Sequence, residues 1–79
     1  MSVEDTIVQL NECFEDALNA KVDLNNVKNS YEIEEWDSLG HMMLISVIET
    51  KFNIKFNIQE LEEIKDIKKL ISLTNEKAN

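Results

Sequence analysis

Three features of the sequence predict an all-α fold, a compact four-helix bundle of three longer helices and one short one with a long loop after the first. Apolar residues recur at three- and four-residue steps through most of the chain. The runs are preceded by short polar residues that suit a helix start: Ser2, Asp37, Asn57 and Asp66. The one alternating stretch, Phe52-Asn53-Ile54-Lys55-Phe56, has no second strand to pair with, and a lone strand is not stable.

The first helix is expected over about residues 3 to 20. Ser2, with Asp5 three residues on, resembles a capping box. Val3, Ile7, Leu10, Phe14, Ala17 and Leu18 form one apolar stripe, and Glu4, Asp5, Gln9, Glu12, Glu15 and Asp16 cover the solvated side. Cys13, beside Phe14, reads as a small core residue, since no cationic neighbour in the sequence activates it.

From Lys21 to Trp36 the periodicity breaks and a long loop is expected. A loop of this length needs a function or its own anchors, and Leu24, Val27, Tyr31, Ile33 and Trp36 can fold back as anchors. A helical turn near residues 23 to 28 fits the pattern. Asp23, Asn25 and Glu34 fall at positions 1, 3 and 12 of a calcium loop. Val27 at position 5 and Lys28 in place of the glycine exclude an EF-hand.

The central helix begins at Ser38 behind Asp37 and runs to about Lys51. Leu44, Val47, Ile48 and Phe52 make its core stripe, whereas Leu39, Met42 and Ile45 lie toward a second face. Either the loop covers that face and Met43, or it docks partner proteins, for which methionines adapt well. Ile54 and Phe56 then plug the core from an extended connection. Asn57 with Glu60 is a second capping signal, opening a short helix with Ile58 and Leu61 inward. Asp66 caps the last helix, with Ile67, Leu70 and Ile71 inward, a fraying end from Thr74 and a disordered tail over residues 75 to 79.

The 79 residues make one domain, with about 3 to 74 ordered. A formal net charge of −8 argues against nucleic acid and favours partners with basic surfaces. One cysteine and one histidine exclude a disulfide framework and the usual zinc spacings. The acidic start, Met1-Ser2-Val3-Glu4-Asp5, lacks a signal-peptide pattern, and no segment reaches membrane-spanning length. The expectation is a cytoplasmic monomer.

Asp37 and Ser38 carry the chemistry. Asp37 can accept from unpaired backbone N–H groups of the first turn, and its charge suits the positive helix end. Ser38 is either an ordinary capping serine or an outward hydroxyl where an attached phosphate would meet free N–H groups. The G-x-S-x-G elbow is absent, and His41, the sole histidine, sits three residues along the same helix. It reads as a solvated residue near enough to touch a phosphate or a partner. Trp36 is expected to pack on the central helix or, alternatively, to shield a group on Ser38. No acid/base pair or metal cluster suggests an enzyme.

Asp37-Ser38-Leu39 opening a helix near mid-chain, in register with the length, acidity and helix order, resembles the acyl carrier proteins and their peptidyl carrier relatives. The resemblance spans nearly the whole chain, from the first helix through residues 52–56 to the short helices beyond. It implies an acyl-carrier-like bundle and a 4′-phosphopantetheine arm on Ser38, delivered from coenzyme A by a phosphopantetheinyl transferase that recognises Asp37. It further implies acyl- or aminoacyl-loading and transfer enzymes as partners, with Leu39, Met42, Met43, Ile45 and Glu49 near the arm or the docking face.

Carriers of fatty-acid synthesis usually have acidic residues along the central helix, where this chain has Gly40, Met43, Thr50 and Lys51 and keeps only Glu49. That departure points to apolar, dedicated partners and a specialised pathway. The rival reading is an unmodified acidic adaptor that binds a partner through Met42, Met43 and Ile45.

Overall fold

The structure, a computed structural model, describes residues 2–27 and 32–78. Its described residues form four helices and no strand: α1 (Val3–Leu18), α2 (Ser38–Phe52), α3 (Ile58–Glu63) and α4 (Ile67–Ala78). The chain is thus an all-helical small bundle, with α1 packed against both α2 and α4.

Local chemistry sets each helix start. The Ser2 hydroxyl accepts from the Asp5 N–H at 3.1 Å, and Asp66 Oδ1 accepts from the amides of Lys68 at 2.9 Å and Lys69 at 3.2 Å. At α3 the capping box is complete: Asn57 Oδ1 accepts from the Glu60 N–H at 2.8 Å, and Glu60 Oε1 accepts from the Asn57 N–H at 2.9 Å. Both α1 and α2 stop at asparagines in the left-handed region, Asn19 at φ 54° and Asn53 at φ 56°.

The core is built on Leu10, Cys13, Phe14 and Leu18 of α1 and Leu44, Ile48 and Phe52 of α2, closed by Ile64, Ile67 and Leu70. Burying each large side chain contributes roughly 1.5–3 kcal/mol. The loop after α1 is held as expected by buried Leu24 and Ile33 and half-buried Val27 and Trp36. Asn11 Oδ1 accepts the Leu24 N–H at 3.0 Å, and Asn25 and Asn26 turn on Asp23. The anchor expected at Tyr31 lies outside the described residues. Ile54 and Phe56 plug the core, each under a tenth exposed.

Four expectations are corrected. Val3 is half-exposed at the helix start instead of beginning the buried stripe. Ile58 points to solvent, 86% exposed, because the completed cap on Asn57 fixes the rotation of a six-residue helix that buries none of its residues fully. Thr74 is fully buried, not fraying, and α4 continues to Ala78, so residues 75 to 78 are not a disordered tail. The tail's anchorage comes from across the bundle. The Thr6 hydroxyl donates to Asn75 Oδ1 at 2.7 Å, and Lys77 pairs with Glu60 at 3.0 Å. Among the described residues no helix is long and apolar enough to cross a membrane.

Candidate functional site

The start of α2 is assembled from three directions. A turn from Ile33 to Trp36, closed by the Trp36 N–H on the Ile33 carbonyl at 3.0 Å, delivers Asp37 to the helix. Asp37 Oδ1 accepts from the Gly40 N–H at 2.8 Å, and the Asp37 carbonyl accepts from the His41 N–H at 2.7 Å. The amides of Ser38 and Leu39 remain as first-turn donors with no acceptor inside the helix. Ser38 itself is exposed.

Gly40 is where α2 meets the turn below it. A Cβ there would run into the backbone carbonyl oxygen of Glu35 and crowd Leu18 Cδ2 at 3.0 Å and Asp37 Oδ1 at 3.2 Å. The absence of an acidic side chain at this position therefore has a steric cause.

The expectation of a solvated His41 is overturned. It is 8% exposed, and both ring nitrogens are engaged. The Trp36 indole N–H donates to His41 Nδ1 at 2.8 Å, while His41 Nε2 lies 2.9 Å from the Leu61 carbonyl oxygen. An indole nitrogen can only donate and a carbonyl can only accept, so the ring is neutral with its proton on Nε2. Trp36 also stacks on His41, 5.8 Å between centroids, and meets Phe14 edge-on at 5.1 Å and 82°. Loop, α2 and α3 are thereby joined through one imidazole.

Beside this junction lies an open groove of about 550 Å³. Trp36, His41, Met42, Ile45 and Leu61 line it with Asp37, Ser38, Glu62 and Lys65. Lys65 pairs with Glu62 at 3.2 Å. The groove brings together Asp37, Ser38, Met42 and Ile45 of the residues singled out in the sequence. Leu39 and Met43 stand outside it.

Most of the second face of α2 is uncovered: Leu39 is 70% exposed, Met42 71% and Met43 43%, whereas Ile45 is half-buried against the core. Glu49 belongs to the other end of the helix and to internal structure. Its Oε2 accepts the Phe56 N–H at 2.9 Å, and its Oε1 lies 3.9 Å from Lys55 Nζ. Cys13 is fully buried, and burial pushes its thiol up to about 11 against the opposing charge of Lys51, the cationic neighbour that sequence distance concealed. Among the described residues, no three histidine, cysteine or acidic side chains gather as a metal site.

Sequence reasoning missed the joint of Trp36, His41 and Leu61, and also Lys65 in the groove. A tryptophan and a histidine five residues apart across a helix start were a usable signal. The carbonyl of Leu61, twenty residues on, left none. Comparison with protein-family models, with curated proteins and with solved structures finds no match to this chain.

Proposed function

We propose that this chain is an acyl-carrier-like protein that bears a 4′-phosphopantetheine arm on Ser38 and serves enzymes without catalysing a reaction itself. The observation that carries this reading is the exposed serine at the first position of α2, beside unpaired first-turn amides and opening on an apolar groove that includes a lysine. The residues fit such a group. Ser38 supplies the attachment oxygen, and the amides of Ser38 and Leu39 with the positive helix end favour a phosphodiester. When bound, the group supplies a thiol that holds acyl or aminoacyl chains as thioesters at high local concentration for partner enzymes.

Asp37 keeps the first turn in register and presents Ser38 to a transferase. His41 does not act as a base on Ser38, because Trp36 and Leu61 occupy both of its ring nitrogens. The apolar exposed positions Leu39, Met42 and Met43 favour dedicated partners over ones that recognise an acidic helix, and with them a specialised pathway. The same exposure also supports the rival reading, an unmodified adaptor docking through α2.

Intact mass after incubation with coenzyme A, magnesium and a broad-specificity phosphopantetheinyl transferase separates the two. The wild type gains one phosphopantetheine and Ser38→Ala gains none. No gain on folded wild-type protein with several transferases makes the adaptor the better account.

A further inference from the structure

We infer that His41 is a proton-sensitive clasp on the wall of the groove beside Ser38. The neutral ring ties Trp36 to α3, and a second proton on the ring releases Trp36 and lets the groove open toward Phe14. The inference rests on the geometry of the clasp and does not depend on Ser38 being modified.

With one proton, the imidazole does two opposite jobs. Nδ1 accepts from the Trp36 indole at 2.8 Å and Nε2–H donates to the Leu61 carbonyl at 2.9 Å. Protonated, the ring has two donors and no acceptor. The Leu61 bond survives, but Nδ1–H then faces the indole N–H, donor against donor. Nothing in the pair can re-form that bond without moving, since the indole has no acceptor nitrogen to offer. The Trp36 side chain is the side that yields: its backbone N–H is fixed on the Ile33 carbonyl, but the indole is held otherwise by ring contacts with Phe14 and His41.

Few charges are placed to counter this. From the approach to α2 comes Asp37, whose carboxylate is committed to the Gly40 amide. From α3 and the turn after it come Glu62 and Lys65, paired with each other. Against Trp36, α1 presents the uncharged Phe14. Because Trp36 lines the groove and meets a fully buried Phe14 at 82° on its other side, its release uncovers core surface behind the groove wall.

The chain has one tryptophan and one histidine, so each reports without ambiguity. The test is an NMR titration of the isotopically labelled, unmodified protein from about pH 8 to about pH 5, the range in which histidine changes charge. It follows the His41 ring signals, the Trp36 indole N–H and the exchange of backbone amides. As His41 gains its proton, the indole signal should shift away from its hydrogen-bonded position. Its exchange should also become severalfold faster than in His41→Gln at the same pH, while the amides of α1 stay protected. Glutamine can accept from Trp36 and donate to Leu61 but does not titrate, so His41→Gln should hold the indole signal constant. An indole signal unchanged through the titration of His41 would overturn the inference. So would an equal shift in His41→Gln, or a His41 that takes up no proton before the whole chain unfolds in acid. The wild-type titration decides the matter even if the variant folds poorly.

Discussion

The two ends of α2 are held by different chemistry. At its C-terminal end, charged groups close on backbone and on each other: Glu49 on the Phe56 amide, Lys51 on Glu12 of α1 at 3.2 Å, and, through the connection to α3, Glu60 on Asn57 and Lys77. At its N-terminal end the Asp37 carboxylate caps the Gly40 amide within the helix itself, but the junction to α1 and α3 is made by neutral aromatic groups, and Leu39, Met42 and Met43 are left uncovered around Ser38. Charge-assisted bonds are roughly twice as strong as neutral ones. One end therefore resists opening, whereas the other can change shape at small cost and still return. On either proposed reading, carrier or adaptor, the fixed end would orient the helix and the adaptable end would meet partners.

The largest effect in breaking this comparison is expected from Gly40→Ala. Helix propensity alone would make the change stabilising by up to about 1 kcal/mol. The added methyl, however, meets the Glu35 carbonyl oxygen, which is backbone and has no rotamer to retreat into. Overpacking of this kind costs about 1–3 kcal/mol, and the upper part of that range is expected here. Urea unfolding should show a lower midpoint with an unchanged slope. A variant as stable as wild type would mean that the turn before α2 is loose and that its N-terminal end has no fixed seat.

At the closed end, Glu49→Ala strands the Phe56 N–H next to a buried ring, and loss of about 1–2 kcal/mol is expected. Glu49→Gln keeps an acceptor of the same reach and should lose less than half of that. If Glu49→Gln lost nothing, charge would not be what distinguishes this end, and if the two variants lost equally, the charge alone would account for the bond. Neither should alter the proposed modification of Ser38, which sits at the opposite end of the helix.

What the sequence disclosed follows how far each interaction reaches along the chain. The caps of Ser2, Asp37, Asn57 and Asp66 act within three residues, so the letters contain them whole. The stripes of α1 and α4 and the plugs Ile54 and Phe56 follow from periodicity. The burial of His41 and the half-burial of Glu49 were not legible because each depends on a partner that arrives from elsewhere, and that of Thr74 because its hydroxyl is buried with no hydrogen-bond partner among the described residues. Leu61 and Trp36 meet His41, the Phe56 amide meets Glu49, and the far end of α4 packs back beside Thr6. Ile58 departs from its pattern for the opposite reason: an apolar residue predicts an inward position, but the cap orients the short α3 and turns Ile58 to solvent. At the site, Ser38 and its exposure follow from local rules, but the groove beside it needs α3 in place.

The smallest expected effect is also the one that orders the two ends in acid. The Glu60 carboxyl is held below its ordinary range, first by the Asn57 backbone N–H and then by the Lys77 side chain. A carboxyl with a lowered folded value lends stability above its unfolded value, near about pH 4.3, and loses it as pH falls through the folded value below that. The closed end should therefore persist until the most acidic part of a titration. Lys77→Met removes the second cause and leaves the first, so Glu60 should titrate closer to an ordinary glutamate and acid unfolding should begin at a slightly higher pH. The Trp36 indole signal should follow the same course as in wild type. Circular dichroism for the helices and NMR for the Glu60 and Trp36 signals would follow the two ends separately. Simultaneous loss of both signals would show that α2 opens as one unit, and the contrast between its ends would then be one of composition without consequence for motion.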